Sequence, residues 1–566
     1  MPDLENGSNE NENPQQTADA RPAALADHAA GSLRRRIEYA VVGLFCCVLF
    51  ASSFFLYTRH DNFSAHFHPD EQTKALQILL QNRDHRHPHL LLEGTEMALR
   101  LFHLARTPRN VMLSGRGVSA AYAVLAVVAL ALAGYRYAGL IGLLLSGVSV
   151  GLCPSLLLYA HYMKEDTALV LGIALTLLEA LIFCTVRSRR SRILALLFLG
   201  AAAAVAASGK YVGVAALGAV LILLVVTPPW GWGIPSRWIA VLVTFAVTAA
   251  VINHRALEDR AAFRLGLTNE TRHSVSEHRG LTMNQPNAFF AKGLIRETMP
   301  HVLVLAGFFL LSLALFWRRT RTWDLFLALF AGGFLLILSF AVIPEYRHNL
   351  PIIVMLHLMA ALAVVRFAAV LAAPWRWAVV AAALAVIVPL QLQRCLNYLD
   401  QFADDSRIRL RSFIAHNVPP GSVILAERHA ALQRSDDPRI PESERRLPVI
   451  LRIKFWVVDF GDPQFMRLSG ADYVAVTERA YSRFFDPDIH PGTSEVSRYN
   501  ARRRFYEQLF AKGELIWSST PAPPTYSPVN PALRLYRLPD RSNTTKEKVR
   551  PQLPASEQAK DEPEEN

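Results

Sequence analysis

Two pairs of adjacent carboxylates stand out among the residues of this chain that could do chemistry. The first, Asp70-Glu71, lies in the run His66-Phe67-His68-Pro69-Asp70-Glu71, which leads into Gln72 to Leu80 at helical spacing. The second, Glu165-Asp166, follows Tyr159-Ala160-His161-Tyr162-Met163-Lys164 between two apolar stretches. A carboxylate can take a proton from an attacking hydroxyl, and several can hold a divalent cation. Acids at a helix start also have a plain explanation, because the free amides and the dipole there favour negative charge. Position argues for more than that. Each pair adjoins a membrane-length apolar run, where an ionisable group is costly unless it serves a pathway, a partner or a headgroup.

Cations occur at the same level. Lys210-Tyr211 breaks one apolar stretch, and Glu345-Tyr346-Arg347-His348 ends another just before Pro351. An arginine at the outer edge of a span suits a phosphate or pyrophosphate, although snorkelling to lipid headgroups explains it equally well. The loop from Asn253 to Thr298 adds Glu277-His278-Arg279-Gly280, which by itself reads as solvated loop. The collected inventory fits a reaction on an anionic, lipid-borne substrate. Phosphate-loop and dinucleotide motifs are missing from the sequence, which argues against ATP hydrolysis and dinucleotide chemistry.

The elements that must position these residues are membrane helices. Of the 566 residues 52% are hydrophobic, and uninterrupted apolar runs recur from Tyr39 to Leu392. At about 20 residues per crossing these amount to roughly ten or eleven spans. Arg34, Arg35 and Arg36 precede the first, so the positive-inside rule places the N-terminus in the cytoplasm. The inside loops that follow then carry Arg136, Arg187 to Arg192, Arg237, Arg318 to Arg321, and Arg366 with Arg376. The first outer loop, 58–115, also holds several arginines, against the rule, which long loops obey weakly. Its Leu-rich helical stretches suit the membrane surface. The stretch Leu197 to Val226, broken at Ser208-Gly209-Lys210-Tyr211, reads as two short spans meeting outside.

Beyond the last span the pattern becomes soluble. Asp405 to Asn417 reads as an amphipathic helix, Val423 to Ala426 and Tyr473 to Val476 as buried strands, and Leu533 to Leu538 as an edge or half-buried strand. The expected organisation is a structureless cytoplasmic tail (1–32), a transmembrane module (33–394), a small extracytoplasmic α/β domain (395–540) and a second tail (541–566). The five cysteines form no readable disulfide framework. The formal charge of +12 fits loop arginines meeting anionic membrane lipid, and no nucleic-acid motif accompanies it.

At this point the chain resembles the GT-C superfamily of integral-membrane glycosyltransferases, in its protein mannosyltransferase and lipid A aminoarabinose transferase branch. The resemblance rests on the order of parts over residues 38–540: His68-Pro69-Asp70-Glu71 after the first span, Arg116 opening the second, then Tyr162 to Asp166, Gly209-Lys210-Tyr211, Glu277 to Gly280, and Tyr346 to Pro351. It implies transfer of a sugar from a polyprenyl-phosphate donor to a lipid, glycan or protein acceptor at the outer face of the cell (inner) membrane, with inversion. It places Asp70, with Glu71 beside it, at the reaction centre. Around the donor it sets Asp166 and Arg347, and with them we group His68, Lys164, Glu165, Lys210, His278, Tyr346 and His348. No cofactor is required by this reading, and a divalent metal ion on Asp70, Glu71 or Asp166 stays open. The β-trefoil module usual in protein mannosyltransferases has no counterpart here. Two other classes compete: a secondary transporter, which would show internal repeats and midplane charges, and a non-catalytic membrane scaffold.

Overall fold

The computed structural model describes residues 14–228, 232–276, 281–317, 320–343, 345–460, 470–519 and 529–539, without the side chains of 14–32 and 459–460. The chain divides into two units, 1–52 and 53–566. The described residues of the first unit form one helix, the beginning of α1 (Pro14–Thr58). Leu33, Ile37, Tyr39, Leu44 and Val48 are exposed on it, apolar side chains suited to lipid. This helix starts inside the segment expected to be a structureless tail. Residues 14–32 are alanine-rich, so they favour helix by propensity while lacking apolar periodicity. The second tail, 541–566, lies outside the described residues.

The second unit opens with α2 (Pro69–Leu79) and α3 (Leu90–Leu101), both in the loop that follows α1. A 44-residue run, α4 (Pro108–Gly151), follows. It is a folded-back pair of helices. Ala138 and Gly139 leave helical geometry, and Gly139 has φ 65°, which glycine adopts without steric cost. A Cβ on Gly134 would come within 2.3 Å of the Gly142 carbonyl, an approach that residues eight apart on one straight helix cannot make. Arg136 sits close to this bend.

The remaining helices of the module are α5 (Pro154–Ala160), α6 (Asp166–Thr185), α7 (Arg189–Gly209), α8 (Val214–Val226), α9 (Ile234–Ile252), the short α10 (His254–Glu258), α11 (Arg260–Val275), α12 (Pro286–Glu297), α13 (Pro300–Leu315), α14 (Thr322–Leu338), α15 (Leu350–Ala369) and α16 (Ala373–Ala403). Seven helices among the described residues are long and apolar enough to cross a membrane. The pair α12–α13, bent by 115°, makes an eighth candidate, and the apolar segments Tyr211–Val226 and Thr322–Leu338 are shorter. Small residues let the central helices close up. A Cβ on Gly172 of α6 would lie 2.1 Å from the Ala206 nitrogen of α7, and one on Gly209 would lie 2.4 Å from the Leu169 nitrogen. The end of α7 is thereby pressed against the start of α6.

The C-terminal domain holds α17 (Ser406–Asn417), capped by the Asp405 side chain, and a five-stranded sheet in the order β3-β2-β4-β7-β6. Strands β2 (Val423–Glu427), β3 (Ile450–Lys454) and β4 (Tyr473–Thr477) are parallel, and β7 (Leu533–Arg537) runs antiparallel to β4 and to β6 (Glu514–Ser518). Along β4, Tyr473 and Ala475 enter one core with Leu410 and Ile414 of α17, while Val474 and Val476 enter another with Trp456 and Tyr506. Burial on both faces accounts for the continuous apolar runs. Strand β7 is interior, paired on both sides, not an edge.

Three sets of contacts tie this domain to the segments 59–68 and 281–283. Strand β1 (Leu281–Met283) pairs antiparallel with β5 (Ile489–Pro491). Arg407, paired with Asp405, donates to the Phe67 carbonyl at 2.6 Å. Asp437 and Asp436 accept the Ser64 and Ala65 amides at 3.0 and 3.2 Å.

Candidate active site

The site is built from the ends of four helices. His68 caps α2 from an extended conformation, its Nδ1 accepting the Asp70 amide at 3.2 Å, and Pro69 occupies the first turn. The imidazole is buried, and burial holds its pKa well below the ordinary histidine value, so it stays neutral and able to accept. This cap fixes Asp70 and Glu71 in the first turn, and the two then point to different fates.

Glu71 is fully buried. Its carboxylate takes a two-pronged pair from Arg116 at 2.9 and 2.7 Å, and also accepts the Met163 amide at 2.8 Å. Arg116 donates onward to the carbonyls of Asp61, Phe63 and Ser64 and covers the Phe63 ring at 3.6 Å. Asp70 keeps 39% of its side chain exposed. Its Oδ2 accepts from Lys164 at 2.5 Å, and Arg347 Nη1 stands 3.7 Å from the same oxygen. Burial works to raise this carboxyl, but Lys164, His68, Arg347 and Lys74 outweigh it and hold the pKa well below the usual carboxylate range.

The second acidic pair faces the first. Glu165 receives Lys74 at 2.8 Å, with His87 at 3.5 Å and Lys164 at 3.6 Å. Asp166 begins α6 and receives Lys210 at 2.8 Å, and Lys210 in turn touches His348 Nδ1 at 3.2 Å. The close approach of Gly209 to α6 is what delivers Lys210 to Asp166. Arg347 and His348 lie in a short 3-10 turn (Tyr346–Asn349) leading into α15. Tyr346 wedges that turn in place, stacked on Phe289 at 4.7 Å and pressed on Gly293, where a Cβ would meet its ring at 2.4 Å. Asn349 pins the turn to the Phe290 carbonyl at 2.9 Å.

Three carboxylates (Asp70, Glu165, Asp166) thus meet four cations (Lys74, Lys164, Lys210, Arg347), and Glu345 acts on Arg347 as well. Arg347 Nε, His348 Nε2 and Asp166 Oδ2 are buried there without hydrogen-bond partners. An anion with hydroxyl groups would satisfy such atoms. A divalent ion fits less well. Asp70, Glu71 and Asp166 each face their own cation, and no three metal-ligating side chains converge among the described residues.

Of the residues singled out in the sequence, Asp70, Lys164, Glu165, Asp166, Lys210, Arg347 and His348 meet in this cluster, with His68 behind it. Tyr346 supports it through packing, Glu71 stands behind it in the Arg116 pair, and His278 lies outside the described residues. Lys74 and His87 were not anticipated. Lys74 had a readable signal, because it sits four residues after Asp70 and so on the same face of α2. His87 had none.

No protein-family model and no curated protein matches the sequence. Among solved structures the chain is similar to ArnT from Cupriavidus metallidurans bound to undecaprenyl phosphate, at 15% identity and a TM-score of 0.48 over 88% of this chain and 98% of that one. It is also similar to the oligosaccharyltransferase AglB from Archaeoglobus fulgidus in complex with an inhibitory peptide and a dolichol-phosphate, at 9% identity and a TM-score of 0.44 over 80% and 71% of the two chains. A third similarity is to the S. cerevisiae protein O-mannosyltransferase Pmt1–Pmt2 complex bound to the sugar donor, at 16% identity and a TM-score of 0.33 over 42% and 35%.

Proposed function

We propose that this chain is a membrane glycosyltransferase of the GT-C kind. It moves a sugar from a polyprenyl-phosphate donor to the hydroxyl of a lipid, glycan or protein acceptor at the extracytoplasmic face of the cell membrane. The observation that carries this reading is one partly open carboxylate, Asp70, set among Lys74, Lys164, Lys210 and Arg347. In the proposed step the acceptor oxygen bonds to the anomeric carbon as the bond from that carbon to the phosphate oxygen breaks. Asp70 takes the acceptor proton, and the lipid phosphate leaves with the bonding electrons. A single displacement of this sort inverts the anomeric centre.

A positioned base contributes about 10² to 10⁴-fold. The leaving phosphate needs charge stabilisation more than a proton, and Arg347, Lys164 and Lys210 are arranged to supply it. Glu71 acts behind Asp70, by locking α2 to Arg116. The proposed step is written without a metal, since Asp70, Glu165 and Asp166 each face a cation.

The test is a transfer assay in membranes with radiolabelled polyprenyl-phosphate sugars, comparing wild type with Asp70→Asn. Transfer that vanishes in a normally expressed mutant supports the reading. Equal transfer by both proteins removes Asp70 from the chemistry, and no transfer from any donor returns the transporter and scaffold classes to the front.

A further inference from the structure

Arg347 is the cation best placed for a donor phosphate, and the carboxylate that acts on it most strongly is Glu345, only two residues before it. Such a neighbour is a competitor. Folded back, it would make the fork-to-carboxylate pair that the phosphate itself needs. It is instead gripped from the other side. Arg479 donates to Glu345 Oε1 at 2.8 Å, and Arg483 donates to the same oxygen at 3.2 Å. Both arginines belong to the C-terminal domain, in the short helical segments Glu478–Tyr481 and Ser482–Phe484 that follow β4. All three side chains are largely shielded from solvent, and Arg347 keeps an unpartnered Nε. Arg479 also acts electrostatically on His68, the cap of the helix that carries Asp70.

We propose that Glu345 is a positioning residue whose carboxylate Arg479 and Arg483 hold away from Arg347, keeping that guanidinium open to the lipid-linked phosphate. This rests on the reading of Arg347 as a phosphate ligand. The C-terminal domain then completes the donor site without touching the reacting atoms. Its docking withdraws an internal competitor, and losing the two arginines lets Glu345 occupy Arg347.

The experiment uses the full chain in detergent and a radiolabelled polyprenyl phosphate as probe, with donor-dependent transfer followed in membranes. Replacing both Arg479→Met and Arg483→Met is expected to weaken binding by about tenfold or more, raising KM for the donor while leaving kcat nearly unchanged. Adding Glu345→Gln to that pair is expected to restore binding to within about threefold of wild type. A triple variant that stays as weak as the double one overturns the proposal, since a merely structural role gives that result. Arg347→Met is the control for the underlying reading: binding unchanged in that variant refutes Arg347 as a phosphate ligand. If the double variant fails to fold, Glu345→Gln alone decides, with affinity equal to or tighter than wild type expected and a tenfold loss refuting the idea.

Discussion

Asp70 and Glu71 are chemically alike and adjacent, so replacing each by its amide separates catalysis from architecture. Glu71→Gln leaves Arg116, 1% exposed, as a buried cation without its counter-charge. Breaking one side of a buried pair costs about 3 to 5 kcal/mol. Arg116 would keep its bonds to the Asp61, Phe63 and Ser64 carbonyls, so the lower end, about 3 kcal/mol, is expected. Asp70→Asn removes a partly exposed carboxylate whose partner Lys164 still has Glu165 at 3.6 Å. Its stability cost should be smaller than that of Glu71→Gln, because Asp70 is partly exposed and Lys164 keeps a second carboxylate, and its activity loss about 10² to 10⁴-fold. The assay heats the purified proteins in detergent, reads the fraction that remains monodisperse, and compares it with transfer in membranes. Glu71→Gln should lose heat resistance, and the added change Arg116→Met should return part of it by removing the orphaned charge, although the Asp61, Phe63 and Ser64 carbonyls then lose their donor. The reasoning is refuted if Glu71→Gln is as heat-resistant as wild type, or if Asp70→Asn is the destabilised member.

Gly209→Val should cost about 1 to 3 kcal/mol by overpacking against α6, and should raise donor KM by drawing Lys210 off Asp166. Gly218→Val, where a Cβ meets nothing within 4 Å, is the matched control in the same heating and kinetic assays. In the C-terminal domain, burial pushes Glu427 up to about 7, although Tyr506 and Thr477 donate to it. The folded domain then holds a proton that the unfolded chain has released. Stability therefore falls as pH rises from about 4.5 to 7, by roughly 3 kcal/mol. Proteolysis of that domain in the full chain should be faster at pH 8 than at pH 5.5 relative to Glu427→Gln, and equal pH dependence in both proteins would refute this. A donor phosphate that competes for Lys164 and Arg347 makes Asp70 a stronger base once bound. The acid limb of kcat should therefore lie at higher pH than that of kcat/KM, and coincident limbs would count against the phosphate sitting between those cations.

Much of the fold was legible because membrane helices have few sequence solutions. An apolar run long enough to cross is conspicuous. Arg136 marked the reversal inside α4 even though Ala138 and Gly139 make it without an evident loop. Signals failed where structure rests on something other than apolar pattern. The N-terminal extension of α1 is helical by alanine propensity alone. The placement of β7 depended on β6, whose Glu514 to Ser518 sequence carries no clean alternation, so the alternation of β7 left an edge and a half-buried interior strand equally open.

The site was legible to the level of residue type and no further. The sequence brings seven charged or polar residues to one level because span ends are where such groups are tolerated. Which cation neutralises which acid is settled by tertiary contacts that leave no local trace. Asp70 and Glu71 share a helix turn, a flank and a charge. They differ only because Arg116, from α4, reaches one of them while the other faces Lys164 and Arg347. Glu345 makes the same point from the opposite direction, for its meaning lies in two arginines more than 130 residues later. An acid in a charged cluster becomes a base, a brace or a competitor according to the partner that arrives first. Functional roles here therefore belong to pairs of residues, and single positions cannot carry them.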